Sequence, residues 1–294
     1  MSETTTRRLQ AIQEQFRTKA GSGRLAGRVA IVTGVGSLTG IGRASALGFA
    51  REGAKALYLL DYDGSNLDDL RAAVLKLAPK CSVVTIEGDA ADEETIKGLC
   101  QRALDEHGAL DVFFANAGVA SGNRLENTDL DEYQRTMHIN VQSCFLACRY
   151  GSEAMRDERA GKSLRGGSII LTASVAGIRS GAGSVDYSAS KAAVVSMAQT
   201  CANQLAGTDI RVNAVCPGLI ETGMTVMTFD YARSRGTAAK IGQLNPLKRY
   251  GVAEEIANAV LFLASDEASY VNGQALAADG GLSSSHPVAP GRSF

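Results

Sequence analysis

Three side chains between Ser174 and Lys191 (SVAGIRSGAGSVDYSASK) have the types and spacing for acid–base chemistry on an oxygen atom. Tyr187 follows Ser174 by thirteen residues and precedes Lys191 by four. Side chains four apart on a helix share a face. A phenol titrates at about 10 in isolation, and a neighbouring ammonium favours its anion. Such a pair can exchange a proton with an alcohol or carbonyl oxygen, while a nearby hydroxyl such as that of Ser174 holds the same oxygen. Alone, Tyr-x-x-x-Lys is more often a helix start with two solvated side chains, so the elements around it must decide.

Those elements alternate. From Arg28 onward the apolar runs VAIVT, ALYLLD, CSVVTIEGD, LDVFFANAG, SIILTAS, IRVNAVCPG and QALAADGG are separated by stretches of helical spacing. The helices are expected at about 41–52, 65–78, 92–107, 130–158 (a single long one), 187–206 and 253–264. Short, wholly apolar strands between helices mean a parallel sheet covered on both faces. The spacing predicts one doubly wound α/β domain of about seven strands over residues 25–282, with a substrate loop near 219–250. Residues 1–24 form an extension, expected to be a helix packed on the domain through Leu9, Ile12 and Phe16, with Gly21–Gly23 as a joint. Residues 283–294 read as a tail. Sheets of this kind bind ligands beyond the carboxyl ends of their strands, and each candidate motif falls at such an end.

The first turn, TGVGSLTGIG over Thr33–Gly42, follows a strand and opens a helix. Glycines let the backbone approach a pyrophosphate, and the helix N-terminus offers free N–H groups. Asp61 comes nineteen residues after Gly42, the arrangement in which a carboxylate takes the ribose hydroxyls of a dinucleotide. Asp61 would repel a 2′-phosphate and neither Tyr62 nor Asp63 supplies a cation, so NAD is expected in preference to NADP. Arg43 argues the other way.

Composition narrows the alternatives. The net charge of −1 gives no electrostatic reason to expect nucleic acid, and no apolar run is long enough to span a bilayer. The six cysteines show no C-x-x-C pair, and with three histidines there is little material for a metal site; none is expected. Glu3 and Glu14 suit a mitochondrial presequence poorly, so a cytoplasmic protein is expected, with a mitochondrial one less so.

Taken together, the T-G…G-I-G turn, Asp89, Ala115-Asn116-Ala117-Gly118, Asn140, Ser174, Tyr187-Ser188-Ala189-Ser190-Lys191 and Pro217-Gly218 with Thr222 make the chain resemble the short-chain dehydrogenase/reductases over about residues 26–282. The resemblance implies a Rossmann-type fold, with Asn140, Ser174, Tyr187 and Lys191 as the catalytic set and Asn140 holding a water that links Lys191 to solvent. It implies that Gly34, Ser37, Leu38, Thr39, Gly40, Ile41 and Gly42 cradle the phosphates. Asp61 and Tyr62 would border the ribose, Asp89 and Ala90 the adenine, and Asn116, Ala117, Gly118 and Val141 the adenosine ribose. Lys191 would also bind the nicotinamide ribose, and Pro217, Gly218, Ile220 and Thr222 the carboxamide. One departure stands out: five residues separate Gly34 from Gly40 where the family has three, so the contacts of Ser37, Leu38 and Thr39 are less defined.

The three residues between Tyr187 and Lys191 argue against the enoyl reductases that look similar, which have six there. The expected activity is NAD-dependent interconversion of a secondary alcohol and a ketone. An NADPH-dependent 3-oxoacyl, polyol or steroid reductase is the alternative, and a non-catalytic NAD-sensing scaffold the remote one. Pocket walls are expected from Ala120, Ser121, Ile178, Arg179, Ala182 and Ser184, and from Met224, Met227, Phe229 and Tyr231. Arg233, Arg235 and Lys240 would meet an anionic substrate or face water. Small residues on the long helix (Ser143, Ala147, Gly151) and the alanines after Tyr187 suggest helix contacts in a homotetramer or homodimer.

Overall fold

The structure, a computed structural model, describes residues 3–157 and 166–286. Seven parallel strands form one sheet: β1 (Val29–Thr33), β2 (Ala56–Asp61), β3 (Ser82–Glu87), β4 (Val112–Ala115), β5 (Gly167–Thr172), β6 (Ile210–Pro217) and β9 (Ala275–Ala278), in the order β3-β2-β1-β4-β5-β6-β9. A two-strand pair, β7 (Ile220–Glu221) with β8 (Gly251–Val252), lies apart from it. Every residue of β1 is buried, because successive side chains point to opposite faces and both faces are covered. Val29, Ile31, Tyr58, Leu60 and Phe113 pack on one side with α4 (Glu93–His107), α6 (Ser143–Met155) and α7 (Val185–Gln204). Ala30, Val32, Leu57, Leu59 and Phe114 pack on the other with α2 (Ile41–Arg51), α3 (Leu67–Leu77) and α9 (Ala253–Ala264). The strand order reverses between β1 and β4, opening a crevice at their carboxyl ends.

The long helix expected over 130–158 is not uniform. It runs as α5 (Leu130–Met137), a π-helical turn over His138–Gln142, then α6. The wider turn holds Asn140 fully buried. Ser143, Ala147 and Gly151 are buried against the sheet rather than offered to a partner, and a Cβ on Gly151 would stand 3.1 Å from the Phe113 ring. The exposed large apolar residue on α6 is Phe145.

Residues Glu3–Thr18 form α1, which contacts α9. Leu9 is buried, and the Arg51 guanidinium lies 4.8 Å from the Phe16 ring centroid. The joint that follows is pinned by Glu52. Its carboxylate accepts from Ser22 N at 2.9 Å and Oγ at 3.1 Å, and from Arg24 N at 3.2 Å and Nη2 at 2.7 Å. Burial works against the charged carboxylate, but Arg24 and these N–H groups outweigh it and hold the carboxyl at about 2. At the other end, Asp279 accepts from the N–H groups of Gly281 and Ser283, and Arg179 donates to the Leu282 carbonyl. Of the expected tail, residues 287–294 lie outside the described residues. All six cysteines are free. Among the described residues, no helix is long and apolar enough to cross a membrane, and no cluster of three or more His, Cys, Asp or Glu could hold a metal ion.

Candidate active site

The crevice between β1 and β4 is braced by polar contacts between strand ends. Thr33 Oγ1 accepts from the N–H groups of Asn116 and Ala117, each at 3.1 Å. Asn116 Nδ2 donates to the Gly34 carbonyl at 2.9 Å, and its Oδ1 accepts from Thr172 Oγ1 at 3.1 Å. Gly34 takes a left-handed φ of 72°. A Cβ on Gly42 would stand 2.2 Å from the Gly34 carbonyl oxygen, so only glycine lets α2 begin this close to β1. The lengthened turn closes on itself through Gly40 N–H to the Ser37 carbonyl at 2.9 Å. The first intrahelical bond of α2 comes from Ala44 N to the Gly40 carbonyl. The N–H groups of Ile41, Gly42 and Arg43 therefore face out of the helix end, where they suit an anion.

Asp61 sits opposite. Gly36 N–H donates to its Oδ2 at 2.6 Å and Asp63 N–H to its Oδ1 at 3.0 Å, fixing the carboxylate with lone pairs to spare. Arg43 is tied to Asp69 instead.

At the other end, Ser174 caps a short 3₁₀ turn, its Oγ accepting from Ala176 N–H at 3.1 Å. Lys191 is buried. Its Nζ donates to the Thr172 carbonyl at 2.7 Å and stands 5.6 Å from the Tyr187 ring centroid. Asn140 spends its amide on backbone and on α7: Oδ1 accepts from Val119 N–H at 2.8 Å, while Nδ2 donates to the Val119 carbonyl at 2.9 Å and to Ser190 Oγ at 3.0 Å. A side chain on Gly118 would press to 3.0 Å from Asn140 Oδ1 and 3.5 Å from Lys191 Nζ.

One cleft of about 590 Å³ joins the two ends. Gly34, Ser37, Gly40, Ile41 and Asp61 line one part, Asn116 and Gly118 the middle. Ser174, Tyr187 and Lys191 line the other part, with Pro217, Gly218, Ile220 and Thr222 along the side. The volume, the free N–H groups at α2 and the fixed Asp61 carboxylate fit a dinucleotide.

Other sequence-predicted residues stand elsewhere. Gly42 contributes its N–H at the end of α2 while its Cα packs on the Gly34 carbonyl, Ala117 packs against Gly34, and Asn140 is enclosed beneath the cleft wall. Leu38 and Thr39 line a neighbouring hollow beside α1 instead. Tyr62 is 78% exposed and is not part of the cleft lining. Asp89 accepts from Ala91 N–H, and Gln142, next to Val141, donates to the Ala91 carbonyl. This places Asp89, Ala90 and Val141 as neighbours outside the cleft lining.

Of the expected pocket walls, Ala120 and Met224 line the cleft. Met227 and Tyr231 on α8 (Val226–Ser234) are exposed, and Phe229 is buried edge-on against Tyr250. Arg233 pairs with Asp230 and Glu221, and Arg235 donates to the Tyr231 hydroxyl. Ser121 and Ser184 bond each other at 2.8 Å, away from the lining. Val119, Arg135, Thr172 and Thr225 line the cleft without having been anticipated. Thr172 ends β5, which puts its hydroxyl at a strand's carboxyl end, whereas nothing in the spacing of Arg135 on α5 separates it from a solvated helix charge.

Comparison with known proteins agrees with this geometry. Residues 34–283 match the family model described as Enoyl-(Acyl carrier protein) reductase. The chain is 37% identical to levodione reductase of Leifsonia aquatica over 92% of this chain and 99% of that one. It is likewise 37% identical to the 3-oxoacyl-(acyl-carrier-protein) reductase of Thermotoga maritima, over 88% of this chain and 99% of that one. The crystal structure of levodione reductase superposes with a TM-score of 0.81, covering 89% of this chain and 100% of that one. The chain belongs to the short-chain dehydrogenase/reductase family of oxidoreductases.

Proposed function

We propose that this chain interconverts a secondary alcohol and a ketone with NAD(H), using Tyr187 as the proton donor and acceptor. The observation that carries the reading is the single cleft with a fixed carboxylate and free helix N–H groups at one end and Ser174, Tyr187 and Lys191 at the other. The nicotinamide coenzyme, when bound, supplies or takes the hydride. The protein's part is to hold the substrate oxygen with the Ser174 hydroxyl and pass it a proton from the Tyr187 hydroxyl. Lys191 brings positive charge to the face of the phenol and a donor to the sugar hydroxyls. Asn140 supports this arrangement from beneath. With its amide committed to Val119 and Ser190, a relay water would meet its main-chain carbonyl in the π-turn rather than its side chain.

NAD is favoured over NADP because Asp61 carries a negative charge where a 2′-phosphate would come, and Arg43 is held by Asp69. The relatives support a ketone, not an enoyl, substrate: one is named for levodione and another for a 3-oxoacyl thioester. The enoyl label of the family model is outweighed by the three-residue interval between Tyr187 and Lys191. Reduction of a 3-oxoacyl thioester with NADPH is the second reading, favoured by the Thermotoga relative. A cytoplasmic homotetramer of this chain acting on a small molecule completes the proposal.

The test is a screen of levodione, 3-oxoacyl thioesters, steroids and polyols at the nicotinamide absorbance band, with NADH and NADPH in parallel. With the best substrate, Tyr187→Phe is expected to lower kcat by about 10²–10⁴-fold and leave NADH binding within a few-fold. Full turnover in that variant would refute the assignment.

A further inference from the structure

One residue before Tyr187, the Asp186 side chain is completely enclosed, and among the described residues no cation pairs with it. Its partners are hydroxyls. Ser121 Oγ donates to Oδ1 at 2.7 Å and Thr136 Oγ1 to Oδ2 at 2.7 Å. Ser184 braces Ser121, with its Oγ 2.8 Å from Ser121 Oγ and 3.2 Å from the Ser121 carbonyl. Burial would push the Asp186 carboxyl up, but the Ser184, Ser121 and Thr136 hydroxyls and the Tyr187 N–H outweigh it and hold it down at about 2. The first turn of α7 also suits a negative charge. Taking a carboxylate out of water costs several kcal/mol, and an apolar side chain of similar size would fill the space without that cost.

The segments it joins give the charge its use. One helical turn along, Asn140 bonds Val119 and Ser190. Two bridges thus span the same three segments: 121–136–186 and 119–140–190. Each uses the loop after β4, the helix carrying Asn140, and α7. Tyr187 and Lys191 directly follow the two α7 residues.

We propose that Asp186 is a positioning residue for proton transfer: by tying the first turn of α7 to Ser121 and Thr136 it sets the Tyr187 hydroxyl against the oxygen held by Ser174. The proposal rests on the reading of Tyr187 as the proton-transferring group.

The test compares full-length wild type with Asp186→Ala, Asp186→Asn, Thr136→Ala and Tyr187→Phe, using the best substrate of the screen above. It reads kcat, KM, the NADH dissociation constant, and the primary isotope effect with NADH deuterated at C4. Asp186→Ala is expected to lower kcat by about 30-fold, the scale of a small misplacement of a reacting group. NADH affinity should stay within about threefold, and the isotope effect should rise because the chemical step becomes slower. Asp186→Asn, which keeps the shape and lets the hydroxyls reorient, should recover kcat to within about fivefold of wild type.

Wild-type kcat and isotope effect in Asp186→Ala would overturn the proposal. So would parallel losses of kcat and NADH affinity with no recovery in Asp186→Asn. Should Asp186→Ala fail to fold, Thr136→Ala decides: a several-fold loss of kcat at unchanged NADH affinity supports the proposal, and unchanged kcat overturns it. Turnover surviving Tyr187→Phe refutes the reading of Tyr187. An inactive Tyr187→Phe beside a fully active Asp186→Ala refutes only the role of Asp186.

Discussion

At Asp61 the carboxylate is oriented by two backbone N–H groups, from Gly36 and Asp63. An acceptor held this way loses no rotamer freedom when a ribose approaches, and hydrogen bonds to a charged group are worth about 1.5–3 kcal/mol. Asp61→Ala is therefore expected to weaken NADH binding by about 10–100-fold while NADPH binding holds or improves; paired fluorescence titrations measure it. Equal losses for both coenzymes would mean that the residue acts only as a turn support. This carboxylate was legible because its distance from the glycine turn and its place at a strand end have a direct physical meaning. Asp186 was not. A carboxylate in the first turn of a helix ordinarily complements the helix dipole from solvent, and nothing in SVDYSASK says that hydroxyls 50 and 65 residues earlier enclose it.

Among the elements, strands of uninterrupted apolar residues announced themselves, and α9 falls on the residues its spacing predicts. The π-turn at His138–Gln142 did not. Its residues keep helical character, and the extra residue is stabilised by what Asn140 and Gln142 reach (Val119, Ser190 and Ala91), contacts that exist only after folding. Such turns are frequent at functional sites. The joint between α1 and β1 makes a second kind of prediction. Glu52, 6% exposed in its side chain, titrates at about 2 against an ordinary value of 4.5. A depressed carboxylate stabilises the fold fully above its unfolded value and loses that contribution as pH falls through its folded value. Glu52→Gln should therefore cost of order 2–3 kcal/mol at neutral pH. In thermal melts the gap between variant and wild type should close from about pH 5 down to pH 2. A gap that does not change with pH would mean that only packing was lost.

For the whole molecule, α7 buries a narrow stripe: Asp186, Ser190, Lys191, Val194, Ala198 and Ala202. Much of its remaining surface is small or polar, and Phe145 on the adjacent α6 is 52% exposed. This face, not the Ser143–Gly151 stripe, is where a second copy is expected to pack. Light scattering should give a multiple of 30.7 kDa, four for the proposed tetramer, and Phe145→Glu should shift it towards the single chain. A wild-type mass of one chain would overturn the assembly.

The paired bridges from the loop after β4 to α5 and α7 bear on how this chain can drift. A residue without an acceptor at 186 leaves the Ser121 and Thr136 hydroxyls without the partner they share; without either hydroxyl, the enclosed carboxylate has one donor fewer. Three positions scattered over 65 residues of chain are thereby coupled, and a descendant that loses the acceptor at one has reason to lose the hydroxyls at the others.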